Sequence, residues 1–249
     1  MRIVCISDTH ALHKGMTHEL PQGDVLIHAG DLSNRGGERD VTEFIHWFQN
    51  IEGFDSKIFI SGNHDFCFEW VNQPHHKGDY DWLNNLMTPE NLSQSNVTYL
   101  EDNFMTIESP EFSRPIKIYG SPWQPEFYNW AFNLPRMGQE LNEKWNNIPI
   151  DTDVLITHGP PNGFGDLVNN WRQPNMNVGC ELLRNKVEEL NPILNVFGHI
   201  HEGYGVYNNG KTTFVNASIC THDYRPTNKP IIVDLNEYDG QIIATYVEI

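Results

Sequence analysis

Positive charge is scarce in this chain. Its 249 residues hold 16 Lys and Arg against 33 Asp and Glu, a formal charge of −17, and no two basic residues are adjacent. An extended nucleic-acid groove needs clustered cations, so no such partner is expected. Cysteine is sparse as well: Cys5, Cys67, Cys180 and Cys220 are far apart, and no CxxC pair offers a zinc knuckle or redox motif. Each lies among apolar or small residues, as buried free thiols do, and a reducing cytoplasm is the expected compartment. No apolar run approaches the ~18 residues of a membrane span. The N-terminus carries no apolar h-region; Met1-Arg2-Ile3-Val4-Cys5-Ile6 runs into Ser7-Asp8 and reads as a first strand, not a targeting signal. Repeats, low-complexity tracts and Ser/Gly linkers are missing, which predicts one domain over residues 1–249. A chain of this length buries ~70% or more of its unfolded surface, so it needs no disulfide or structural metal to fold.

Short apolar, β-branched runs are plentiful: Ile3–Ile6, Val25–Ile27, Ile58–Ile60, Ile116–Tyr119, Val154–Ile156 and Leu194–Phe197. They read as buried strands. Residues 38–51 place Val41, Phe44, Ile45 and Phe48 at helical spacing, and Leu182, Leu183, Val187 and Leu190 do the same in Glu181–Leu190. The C-terminal third instead shows Tyr204–Asn208, Thr212–Asn216, Ile231–Leu235 and Ile242–Val247, with Asn209-Gly210 and Asp239-Gly240 as hairpin turns. The chain begins as β-α-β and ends in antiparallel strands. Two packed sheets with helices outside satisfy that pattern.

Histidine is the unusual abundance, with 12 residues, and it gathers where strands stop. The five strand ends read Asp8-Thr9-His10, Gly30-Asp31, Gly62-Asn63-His64-Asp65, Thr157-His158-Gly159 and Gly198-His199-Ile200-His201. Ligands of open α/β sheets bind beyond the carboxyl ends of strands, so these ends converge on one pocket. Carboxylate, amide oxygen and imidazole together suit Mn, Fe, Zn, Ni or Co, with too much imidazole for Ca or Mg. Seven candidate ligands (Asp8, His10, Asp31, Asn63, His158, His199 and His201) exceed what one ion uses. A carboxylate bridging two ions ~3.5–4 Å apart is the two-metal arrangement for phosphoester cleavage. A lone Asp-x-His is usually only a turn; five such blocks in order are not. His13, His18, His46, His75, His76 and His222 lie outside the blocks and read as surface or structural residues, and His28 as a core residue.

The ordered blocks resemble the calcineurin-like metallophosphoesterase superfamily, whose pattern is D-x-H, GD, GNH[DE], H and GHxH. Residues 119–127, 132–136, 157–161, 199–205 and 215–220 look further like the metallophosphoesterase-domain-containing family, the brain-type phosphodiesterases and their bacterial relatives. The resemblance implies an α/β fold, a four-layer α/β/β/α sandwich of two mixed sheets flanked by helices, and divalent-metal phosphodiesterase activity. It assigns Asp8, His10, Asp31 and His201 to a first metal and Asp31, Asn63, His158 and His199 to a second, with Asp31 bridging and His64 facing the phosphate. One departure stands out. Gly30-Asp31-Leu32-Ser33-Asn34-Arg35-Gly36 replaces GDxxDRG, so Asn34 stands where an acid would partner His64. That pairing is expected to be lost, while Arg35 keeps the position of a phosphate-binding arginine.

The expected reaction is attack on phosphorus by a metal-bridging hydroxide, with Asp31 and His64 as the catalytic pair and Mn²⁺ as the leading ion. The acidic chain disfavours a polyanion and favours a small phosphodiester, with 2′,3′- or 3′,5′-cyclic nucleotides as candidates. In the Trp123–Trp130 loop, Trp123, Phe127, Tyr128 and Trp130 offer stacking surfaces, and Trp123 is singled out with Arg35 as a substrate contact. Phosphomonoesterase or nuclease activity on the same metals, and a weakly active nucleotide sensor, remain as alternatives. No membrane partner is expected, and spacing says nothing of oligomeric state.

Overall fold

A computed structural model describes residues 1–168 and 174–248. Its strands in chain order are β1 (Arg2–Ile6), β2 (Val25–Ala29), β3 (Ser56–Ile60), β4 (Val97–Tyr99), β5 (Asn103–Ile107), β6 (Ile116–Ser121), β7 (Gln124–Pro125), β8 (Asn133–Leu134), β9 (Val154–Thr157), β10 (Leu167–Val168), β11 (Met176–Asn177), β12 (Leu194–Phe197), β13 (Gly205–Asn208), β14 (Thr213–Asn216), β15 (Ile231–Tyr238) and β16 (Gln241–Val247). The helices are α1 (Glu38–Gln49), α2 (Phe66–Trp70), α3 (Asp81–Leu86), α4 (Pro89–Ser93), α5 (Gln139–Asn146) and α6 (Glu181–Leu190).

Two six-stranded mixed sheets carry the architecture, ordered β16-β15-β1-β2-β3-β4 and β13-β14-β12-β9-β6-β5. Alternate residues of the same strands serve different layers. Ile3, Cys5, Ile27, Ile58, Ile118, Ile156 and Val196 meet between the sheets. Val4, Ile6, Leu26 and Phe59 point outward onto Val41, Phe44, Ile45 and Phe48 of α1. Leu155, Phe197 and Phe214 point outward from the second sheet onto Leu141 and Trp145 of α5 and Leu183 and Val187 of α6. The result is helix, sheet, sheet, helix. Because both faces of each central strand are covered, the strands read as unbroken apolar runs rather than alternating ones.

The C-terminal strands do not form one antiparallel unit. β13 and β14 make a hairpin, but β14 lies parallel to β12 in the second sheet, while β15 crosses over to pair antiparallel with β1. The turn between β15 and β16 uses Asp239 (φ 50°) and Gly240 (φ 77°), two left-handed residues that suit a tight hairpin. In consequence the crossing segment after β14 touches both sheets: Ser218 forms a bridge with Ser7, the residue after β1. This seam lies at the carboxyl ends of the parallel strands, where the polar blocks gather. Among the described residues no helix is long and apolar enough to cross a membrane.

Candidate metal centre

Three of the five blocks turn sharply at their strand ends. Asp8 (φ 51°), His10 (φ 42°), Asp31 (φ 55°) and His199 (φ 67°) all sit in the left-handed region, which non-glycine residues enter only under constraint. Gly198 is required beside them, because a Cβ there would collide with the Asp8 carboxylate and the Ser7 hydroxyl. Gly62 is held to the same standard by Asp31.

The seven predicted ligands come together. His10 Nε2 lies 3.2 Å from His201 Nε2, and His201 Nε2 lies 3.2 Å from Asp8 Oδ1. Next to them, His158 Nε2 lies 3.0 Å from Asn63 Oδ1 and 3.3 Å from Asp31 Oδ1. Asp31 Oδ2 faces back toward His10 Nε2 at 3.8 Å. Among the described residues three groups of atoms suited to hold an ion result: Asp8–His10–His201, Asp31–His158–His199 and His10–Asp31–His64. Asp31 and His10 each belong to two of them, so the groups are neighbours rather than separate sites.

Hydrogen bonds at the far edges of the rings say which nitrogens face inward. The Ala29 carbonyl can only accept, so His158 Nδ1 donates to it at 2.9 Å; the Thr221 carbonyl takes His201 Nδ1 at 3.0 Å in the same way. In the neutral rings Nε2 is then a bare lone pair aimed at other acceptors. Such a convergence of acceptors is stable only with a cation or protons among them. The electrostatics agree. Burial opposes the charge on His158, yet Asp31 outweighs it and holds its pKa up at about 9. His201 is likewise opposed by burial but raised through Asp8. Burial carries His10 down to about 4 and His199 to about 3. Burial would raise Asp8 and Asp31, but His201 and His158 respectively pull them below the usual carboxylate range. Without metal, a protonated His158 offsets the Asp31 carboxylate and Asp8 favours the charged form of His201; divalent ions would displace such protons.

The outer partners are equally built. Ser218 Oγ donates to Asp8 Oδ2 at 2.9 Å, and the His199 N–H donates to the same carboxylate at 3.0 Å. Asn216 Nδ2 donates to the carbonyls of Ile200 and Gly165, tying the His199–His201 loop to the seam. Asp65 accepts from the N–H groups of Gly62 and Ser33 and from Ser33 Oγ, so it clasps the β2 and β3 loops together; burial and then Asp31 push it up to about 6. Sequence patterning carried Asp65, Asn216 and Ser218 inside quoted motifs but gave none of them a role.

Asn34 offers His64 no acid, and its side chain turns to Asp40 at 3.3 Å, but its main-chain carbonyl accepts from His64 Nδ1 at 2.8 Å. The ring also stacks on Trp130, with centroids 4.1 Å apart at 23°, and its Nε2 lies 3.9 Å from Asp31 Oδ2. Arg35 is exposed, with its guanidinium 5.1 Å over Trp130. Trp123, expected as a substrate contact, is turned into the protein instead: Nε1 donates to Asp102 at 2.9 Å, and Lys144 Nζ lies 4.1 Å over the ring. Neither Arg35 nor Trp123 lines the cavity of about 550 Å³ that opens over Asp31, Asn63, His64, His199 and His201. Phe127 and Tyr224 do. Among the remaining histidines, His28 bonds Thr9 Oγ1 through Nε2 at 2.9 Å, and His13 is buried against Phe44 and Trp47.

Comparison with known proteins is consistent with this geometry. The sequence model of the calcineurin-like phosphoesterases matches residues 1–203. A human protein named metallophosphoesterase domain-containing protein 1 is 46% identical over 243 residues, covering 94% of this chain and 71% of that one. The UPF0046 protein C25E10.12 of Caenorhabditis elegans is 40% identical over 241 residues, covering 94% of this chain and 81% of the other. Among solved structures, a phosphopantetheinyl hydrolase from Mycobacterium tuberculosis superposes with a TM-score of 0.54 at 18% identity, covering 88% of this chain and 89% of that one, a likeness of fold.

Proposed function

The chain belongs to the calcineurin-like phosphoesterase family, and from that premise we propose a binuclear, Mn²⁺-dependent phosphodiesterase acting on small phosphodiesters, cyclic nucleotides among them. The observation that carries the binuclear reading is the sharing of Asp31: one oxygen faces His158 and the other faces His10. Asp8, His10, Asp31 and His201 would hold one ion, and Asp31, Asn63, His158 and His199 the other. The mixture of oxygen donors with imidazole fits Mn²⁺ or a similar transition ion. Bound there, such ions supply neutralisation of phosphate charge and acidification of water.

The chain's own groups do the rest. The carbonyls of Ala29 and Thr221 keep Nε2 of His158 and His201 turned inward. Ser218 and the His199 N–H fix the Asp8 carboxylate. His64, aimed by Asn34 and Trp130, faces the cavity and would present Nε2 to a phosphoryl oxygen or to the leaving group. A cavity of about 550 Å³ takes a single nucleotide-sized substrate, and the net charge of −17 disfavours a polyanion. The test is a Mn²⁺-supplemented assay of bis(p-nitrophenyl) phosphate, p-nitrophenyl phosphate, and 2′,3′- and 3′,5′-cyclic nucleotides with product identification. Faster turnover of the diesters, abolished by a chelator, is expected. A preference for the monoester, or turnover that survives chelation, would overturn the assignment.

A further inference from the structure

We propose that Tyr224 is a specificity-determining residue: its ring is the wall on which a planar ring of the substrate, an aryl group or nucleobase on one ester arm, stacks. The inference rests on the phosphodiesterase reading and deepens it. No motif marks Tyr224 in the sequence. It lies on the segment that follows the seam, and its backbone is left-handed (φ 56°), an uncommon conformation for a bulky aromatic residue. Strain of this kind persists where surrounding structure enforces it, and here the enforcement is visible. Tyr224 N–H donates to the Thr221 carbonyl at 2.8 Å, and Thr221 N–H donates to Arg225 at 2.9 Å. The same Thr221 carbonyl accepts from His201 Nδ1 at 3.0 Å. One turn therefore orients a candidate metal ligand and sets the aromatic ring beside it.

The ring is braced by the site's imidazoles. Its centroid lies 4.8 Å from His10, 5.3 Å from His201 and 6.4 Å from His64. It is nonetheless 48% exposed, and it lines the cavity. Phe127 repeats the arrangement beside the other group of ligands: it packs edge-on against His199 at 5.7 Å, is 48% exposed, and lines the same cavity. A phosphorus held between the two groups sends its ester arms toward both sides. Each side then offers an aromatic surface to an arm. Stacking of this kind discriminates by shape rather than by hydrogen bonding, so it tolerates different rings and disfavours alkyl arms.

The experiment uses the Mn²⁺-loaded full chain and two diesters with one leaving group, phenyl p-nitrophenyl phosphate and methyl p-nitrophenyl phosphate. The readout is the phenyl-to-methyl ratio of kcat/KM. Tyr224→Ala is expected to lower that ratio ~10-fold, chiefly through KM, and Tyr224→Phe to keep it near the wild-type value. A purely structural role, acting through Thr221 on His201, would reduce both substrates alike and leave the ratio unchanged; that result overturns the wall. So does a Phe variant that behaves like Ala, which would transfer the role to the hydroxyl. Should Tyr224→Ala fail to fold, Tyr224→Leu makes the same test, since it keeps bulk and removes planarity. If the wild type turns over neither diester, the phosphodiesterase reading itself fails and takes the wall with it; turnover with an unaltered ratio refutes the wall alone.

Discussion

Replacing Asp31 by Asn tests the shared carboxylate directly. Asp31 is 2% exposed, its Oδ1 lies 3.3 Å from His158 Nε2, and its Oδ2 lies 3.8 Å from His10 Nε2. An amide offers one oxygen, so at most one group of ligands keeps its donor, and the negative charge is lost to both. In the wild type, free Mn²⁺ at a hundred times Kd stabilises the fold by about 2.7 kcal/mol per site. Two sites make about 5 kcal/mol, which at about 2–4 °C per kcal/mol raises Tm by about 10–20 °C. Loss of a mere outer partner weakens metal affinity ~10–100-fold, so a bridging ligand should cost at least ~100-fold at each site. At the same Mn²⁺ concentration each site then contributes about 0.4 kcal/mol, and the rise in Tm shrinks to about 2–3 °C. Thermal melts with and without Mn²⁺, together with elemental analysis of the loaded protein, measure both quantities. Two ions per chain in Asp31→Asn, or an undiminished Tm shift, would refute the bridging assignment.

Further expectations follow from the same geometry. In a chelator, His158 holds its proton up to about pH 9, above its unfolded value of about 6.5. Its contribution to stability is complete below pH 6.5 and is lost as pH rises through 9, so the metal-free Tm should fall across that window; a flat or rising profile would contradict the pairing with Asp31. Metal must displace that proton, so the Mn²⁺-induced shift should grow over the same range, as calorimetry or melts would show. Ser218→Ala removes the 2.9 Å hydrogen bond to Asp8 and should weaken one of the two ions ~10–100-fold while sparing the other, as titration of metal content would reveal. His64→Ala should lower kcat ~10²–10⁴-fold with both ions retained, and less so for p-nitrophenolate than for poorer leaving groups. Retained activity, or lost metal, would remove His64 from the chemistry.

The sequence disclosed what depends on residue type at strand ends and concealed what depends on backbone path. The six central strands and both long amphipathic helices announced themselves, because strands covered on two faces become apolar runs and a helix covered on one face becomes a 3.6-residue pattern. α5 did not, since Gln139–Asn146 buries only Leu141 and Trp145, two residues that fall short of a pattern. The C-terminal strands were recognisable, but their division between two sheets was not: hairpin turns specify local pairing and leave the partner sheet open. That division matters to chemistry, because the crossing after β14 carries Ser218 to Asp8 and delivers Thr221 to His201.

The same reasoning explains why the ligands were legible and the residues around them were not. A ligand must be Asp, Asn or His, so its identity survives as a motif. A supporting carbonyl can belong to any residue, and Ala29, Asn34 and Thr221 act on His158, His64 and His201 through their main chains. Asn34 shows the consequence: the side chain departs from the expected acid, yet the residue still holds His64 because its carbonyl is indifferent to the substitution. Trp123 shows the converse. Its aromatic identity suggested a substrate contact, but Asp102 and Lys144 lie within reach and turn it inward. Tyr224, which carries no motif, takes the exposed place beside His10 and His201 because a left-handed turn aims it there. Side-chain chemistry therefore selects what can bind the phosphate, whereas backbone geometry selects which aromatic residues meet the rest of the substrate.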